Sequence, residues 1–102
     1  MARYTNITGG SPPTTTTLVT KGSGVSGVVK KMTIVNHDPS DACVITLYLH
    51  DGAGSPTIYT LAETTIPPRV TLVLTDNLSF DSKLYNLKID ASTTADLTVI
   101  IK

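Results

Sequence analysis

One cysteine (Cys43), one phenylalanine (Phe80), one glutamate (Glu63) and no tryptophan occur in 102 residues. A lone thiol closes no intrachain disulfide and is too few for a cysteine-based zinc site, which excludes a disulfide-stapled scaffold and a zinc ribbon. Eight basic residues balance eight acidic ones, and charged residues make up only 16% of the chain. With zero net charge there is no long-range attraction to nucleic acid or to an anionic membrane, so neither is expected as a partner. No apolar run approaches the ~20 residues that cross a bilayer as a helix. The first residues carry one basic group, Arg3, with no apolar stretch behind it. That fails the pattern of a signal peptide, and synthesis in a cytoplasm is expected.

Threonine takes much of the place that charge leaves empty, with 18 threonines beside nine valines and eight isoleucines. β-Branched side chains are stiff at χ1 and favour strands over helices. No window repeats apolar residues at helical spacing for three turns, and no internal repeat is present. The length suits one small domain.

Residues 1–27 combine Gly9, Gly10, Pro12 and Pro13 with a run of threonines, and apolar residues are sparse. Such a segment buries too little to offset its ordering entropy, so it reads as an extended N-terminal arm. Its part most able to order is 14–20, where Leu18 and Val19 suit a first strand, or one exchanged into a neighbour's edge. From residue 28 the chain changes to short apolar segments separated by turn formers. At 43–50, Cys43, Ile45, Leu47 and Leu49 alternate with Val44, Thr46, Tyr48 and His50, the mark of a strand with one apolar face. Glycines at 52 and 54 predict a hairpin into 57–61. Pro67 and Pro68 belong at an edge or corner, since neither donates to a sheet ladder. Further strands are predicted at 28–35, 70–74, 83–89 and 95–102, with Phe80 capping one end of the core. The expected fold is all-β: a small antiparallel β-sandwich, jelly-roll or Ig-like, of six to eight strands over 28–102.

Catalytic equipment is sparse. His37-Asp38 and His50-Asp51 are adjacent pairs, and neighbours on a strand face opposite ways. Two histidines do not make a three-ligand zinc site. Asp38, Ser40 and Asp41, or Asp76, Asn77 and Asp81, offer oxygens to calcium, but solvated turns account for them better and neither set matches an EF-hand loop. No serine sits in a Gly-x-Ser-x-Gly elbow. Tyr4, Tyr48, Tyr59 and Tyr85 would stack on sugars if they shared a face; the commoner arrangement buries the ring and leaves the hydroxyl at the surface. No catalytic residue, metal or cofactor is expected. The strands at 70–74 and 95–102 carry apolar residues on both faces, which exceeds the needs of a sheet with one solvated side. Val73 and Ile100, with Leu18 and Val19, are therefore the candidate interaction residues.

The stretches 32–36, 44–52, 66–74 (with Ile66-Pro67-Pro68 before Val70-Thr71-Leu72-Val73-Leu74) and 95–102 together resemble small virion proteins of tailed bacteriophages. The resemblance spans 28–102 and leaves out the arm. It implies a non-enzymatic capsid decoration or cement protein, made in the host cytoplasm and resident in the virion. Such a protein binds the major capsid protein or another virion protein and forms a homo-oligomer, often a trimer. A carbohydrate-binding module, presenting tyrosines and loop carboxylates, or a tail- or neck-associated β-sandwich is the alternative.

Overall fold

Alternating apolar and polar residues become antiparallel strands in the computed structural model, which describes residues 3–9, 14–22, 24, 27–75, 78–92 and 96–102. Among these residues there is no helix. The strands are β1 (Arg3–Thr8), β2 (Thr14–Val19), β3 (Val28–Val29), β4 (Met32–Asn36), β5 (Cys43–His50), β6 (Ile58–Ile66), β7 (Thr71–Leu74), β8 (Leu78–Ser79), β9 (Asn86–Ala91) and β10 (Asp96–Ile101). One four-stranded sheet, sheet A, has the order β1-β10-β4-β7, and a second, sheet B, has the order β2-β9-β5-β6. β3 and β8 form a two-stranded ribbon.

The period-two pattern decides which faces meet. Ile34, Leu97 and Val99 of sheet A join Ile45, Leu87 and Ile89 of sheet B in a single core, and all six are fully buried. Phe80 packs against that core, as its position predicts. This all-β, antiparallel arrangement is compatible with a β-sandwich.

The N-terminal third differs from the arm expected over 1–27. β1 pairs along its whole length with β10, from Arg3↔Ile101 to Thr8↔Asp96, and β2 pairs with β9. Each forms the edge of one sheet, and Thr14 Oγ1 links them by donating to the Thr8 carbonyl at 3.1 Å. Ile7, Leu18 and Val19 are buried in the shared core. A threonine-rich strand needs few apolar residues when neighbouring strands satisfy its backbone, so the low apolar content was a poor guide to order. The strand expected at 28–35 is interrupted at Lys30 and Lys31, where the chain bends from β3 to β4. The strand expected at 83–89 starts only at Asn86, because Asp81 Oδ1 accepts the Lys83 amide at 2.9 Å and its carbonyl accepts those of Leu84 and Tyr85, closing a turn there.

The hairpin forms as β5 and β6, with a bulge opposite Leu47/Tyr48. β6 is an edge strand and ends at Ile66, just before the two prolines. The Val70 amide donates to the Pro67 carbonyl at 3.3 Å, with Pro68 and Arg69 between them. Arg69 has φ 60°, the left-handed conformation that a type II turn requires after its proline. Gly27 is needed for a different reason: a Cβ there would run into the Phe80 carbonyl, which lies over it while the Phe80 amide donates to Gly27 at 3.0 Å.

Asn36 is the one buried polar residue among those described, at 0% exposure. Its amide nitrogen donates to the carbonyls of Asp41 at 3.1 Å, Ile66 at 3.0 Å and Pro67 at 3.2 Å, and its Oδ1 accepts the Asp38 amide at 3.2 Å. One side chain thus ties the loop after β4 to the proline corner.

Candidate functional site

Three groups of side chains have the arrangement of sites. The first is the outer face of sheet A. Register aligns Tyr4↔Ile100, Ile100↔Thr33 and Thr33↔Val73, a row crossing all four strands. At strand spacing it spans about 14 Å. The next row, Asn6, Thr98, Val35 and Thr71, is also uncharged. Tyr4 is 72% and Val73 44% exposed. Val73 and Ile100 therefore share one outward face, whereas Leu18 and Val19 lie inside the chain's own core and present nothing to a neighbour's edge. Tyr4 belongs to the same row, and sequence reasoning missed it because its strand was read as part of the arm.

Asp96 and His37 close one end of that face. His37 Nδ1 lies 3.5 Å from Asp96 Oδ1 and its Nε2 lies 3.0 Å from Thr98 Oγ1, the order of carboxylate, imidazole and hydroxyl found in hydrolytic triads. A nucleophile must give its proton to the imidazole, but the Thr98 hydroxyl donates to Asn6 Oδ1 at 2.8 Å. Here the set acts as a strap across β1, β10 and the loop after β4. Both ends of the His37–Asp96 contact are half exposed, so it contributes little by itself.

The second group lies on the outer face of sheet B, where Asp90 Oδ1 accepts from the Tyr48 hydroxyl at 2.9 Å and from Thr15 Oγ1 at 2.6 Å. Burial, reinforced by the Asp90 carboxylate, pushes the Tyr48 phenol up to about 12. Because the folded-state value lies above the ordinary 10.0, the folded protein favours the protonated phenol, and the stability linked to it is complete below pH 10 and is lost as pH rises towards 12. We expect stability to fall along this alkaline limb and the Tyr48→Phe variant to lack that component. Urea unfolding of both proteins at neutral and high pH measures it, and parallel slopes would refute the assignment.

The third group is at the end of sheet B where His50, Ile58 and Asn86 lie side by side. Lys21, Asp51, Gly52, Ala53, Leu84 and Tyr85, from three separate loops, line a cleft of about 390 Å³. The Lys21 amide donates to Asn86 Oδ1 at 2.7 Å, and its Nζ donates to the Asp51 carbonyl at 2.8 Å. Asp51 Oδ1 accepts the Ala53 amide at 3.0 Å. The backbone amides of Ala53 and then Thr57 hold the Asp51 carboxyl below its ordinary value, so it is ionised at neutral pH. Tyr59 stands edge-on to Tyr85, with ring centroids 5.8 Å apart at 80°.

The four tyrosines do not share a face. Tyr48 buries its ring as expected, while Tyr4 and Tyr59 are exposed. The oxygen cluster at Asp38 is engaged by its own loop: Oδ1 accepts from the amides of Ser40 and Asp41, which lower the carboxyl's pKa. Asp76 and Asn77 of the other calcium candidate lie outside the described residues. A cavity of about 210 Å³, reached by Met32, Leu47, Leu61 and Leu74, has only apolar side chains around it. No helix among the described residues is long and apolar enough to cross a membrane. Compared with protein-family models, curated proteins and solved structures, the chain matches none.

Proposed function

We propose that the chain is a non-enzymatic structural protein of a bacteriophage virion, a decoration protein that binds the head shell and associates with copies of itself through the outer face of sheet A. The observation that carries this reading is the uncharged row Tyr4, Ile100, Thr33 and Val73. A sheet face with Tyr4 and Val73 exposed, Ile100 half-buried between them and no charge in the row suits a protein contact better than solvent. Zero net charge removes long-range repulsion between copies.

Strand order supports the same reading. Counting only the eight longer strands in chain order, one sheet runs first-eighth-third-sixth and the other second-seventh-fourth-fifth. We take this as a jelly roll, an architecture used by viral capsid and lectin domains. Fold alone does not specify function, so the surface carries the greater weight.

The test introduces charge into the row. Light scattering after size-exclusion chromatography should give a mass of three times the 10.8 kDa chain, and the protein should cosediment with purified phage heads that lack it. The Val73→Asp, Ile100→Asp double variant should remain folded, run as a monomer and fail to cosediment. A wild-type monomer that ignores the heads would reject the proposal.

A further inference from the structure

We propose that the cleft between Lys21, Asp51 and Tyr85 binds a neutral hexopyranoside, held by its hydroxyls at Lys21 and Asp51 and by its C–H face against Leu84 and Tyr85. The site shares no residue with the row on sheet A and does not depend on it.

The polar side of the cleft is built before any ligand arrives. Lys21 is fixed at its amide by Asn86 and at its ammonium by the Asp51 carbonyl, leaving further N–H donors on the same nitrogen. Asp51 is fixed by the turn it makes with Ala53, and a carboxylate offers about four acceptor positions. Gly52 sits between the two: with φ 83° it adopts a conformation that favours glycine, and a Cβ there would lie 3.7 Å from the Lys21 ammonium. A cationic donor and an anionic acceptor held side by side suit a partner with neighbouring groups that each donate and accept. Vicinal hydroxyls do so; a phosphate or a carboxylate does not.

Charge narrows the class further. Lys21 and Asp51 cancel, and Asp81, near Tyr85, is matched by Lys83 of its own turn, so the cleft has no net positive charge to draw an anionic sugar. The other wall is formed by Leu84, 56% accessible, and the half-buried Tyr85, whose ring meets Tyr59 edge-on. A pyranose has this same division, with hydroxyls at its rim and a C–H face that packs on aromatic rings. The volume of about 390 Å³ falls within the range of small-ligand clefts.

The full chain, isotopically labelled, should be titrated with the methyl glycosides of glucose, galactose and mannose and with N-acetylglucosamine, using N-acetylneuraminic acid as the charged control. At least one neutral sugar should shift the amide resonances of Lys21, Gly52, Ala53 and Tyr85 with a millimolar Kd, and the acidic sugar should not. Asp51→Asn keeps an oxygen for the Ala53 amide but removes the charge, and it should raise Kd by about tenfold, as should Tyr85→Ala. The proposal is overturned if no neutral sugar moves these resonances, if the acidic sugar binds here equally well, or if both variants retain the wild-type Kd.

Discussion

Replacing Asn36 by aspartate is expected to destabilise the protein severely at neutral pH. The side-chain nitrogen of Asn36 donates towards three carbonyl oxygens in a fully buried position, and the substitution puts a carboxylate oxygen against those same carbonyls. An uncompensated buried charge costs about 3–5 kcal/mol, a large part of the roughly 5–15 kcal/mol that holds a small domain together. The penalty has a distinctive pH dependence. Burial among carbonyls raises the new carboxyl above its unfolded value of about 4, so protonation restores a donor. The stability gap to the wild type should be smallest in acid and widen as pH rises from about 4 through the raised folded-state value. Urea denaturation of both proteins at acidic and neutral pH measures the gap. A variant with a wild-type midpoint at neutral pH would refute this account of Asn36.

Deleting residues 1–20 separates two views of the N-terminus. If the segment were only an arm, the remainder would stay folded and lose only its docking function. In the structure the deletion removes an edge strand from each sheet and takes Ile7, Leu18 and Val19 from the core. Three such side chains contribute roughly 5–9 kcal/mol of burial, enough to consume the whole stability of a domain this size. The edges of β9 and β10 would also be left with unpaired backbone groups, an invitation to aggregation. The truncated chain should therefore lose its cooperative thermal transition by circular dichroism and elute in the void volume. A cooperative melt close to that of the full chain would show that the two strands contribute little.

Where residues alternate strictly, local pattern and final structure agree. Cys43, Ile45, Leu47 and Leu49 face the core as their spacing predicts, and so do Leu97, Val99 and Ile101. The proline corner was legible because two missing N–H donors leave few places in a sheet. β1 and β2 were not, since strands made mostly of threonine have the composition of a linker until β10 and β9 provide backbone partners. Tyr59 and Tyr85 were legible as residues but not as a pair, because they are brought together only when β5 lies between β6 and β9.

The amino-acid sequence alone determined that this chain would be built of short antiparallel strands with low surface charge, because β-branched content and period-two alternation are local properties. Tertiary structure decided which surfaces could bind. Val73 and Ile100 became parts of one row, and Lys21, Asp51 and Tyr85 parts of one cleft, through cross-strand register and the meeting of loops at one end of a sheet. Leu18 and Val19 were drawn inside by the same pairing. Register couples residues far apart along the chain, and no local pattern specifies it when several strands carry similar alternation.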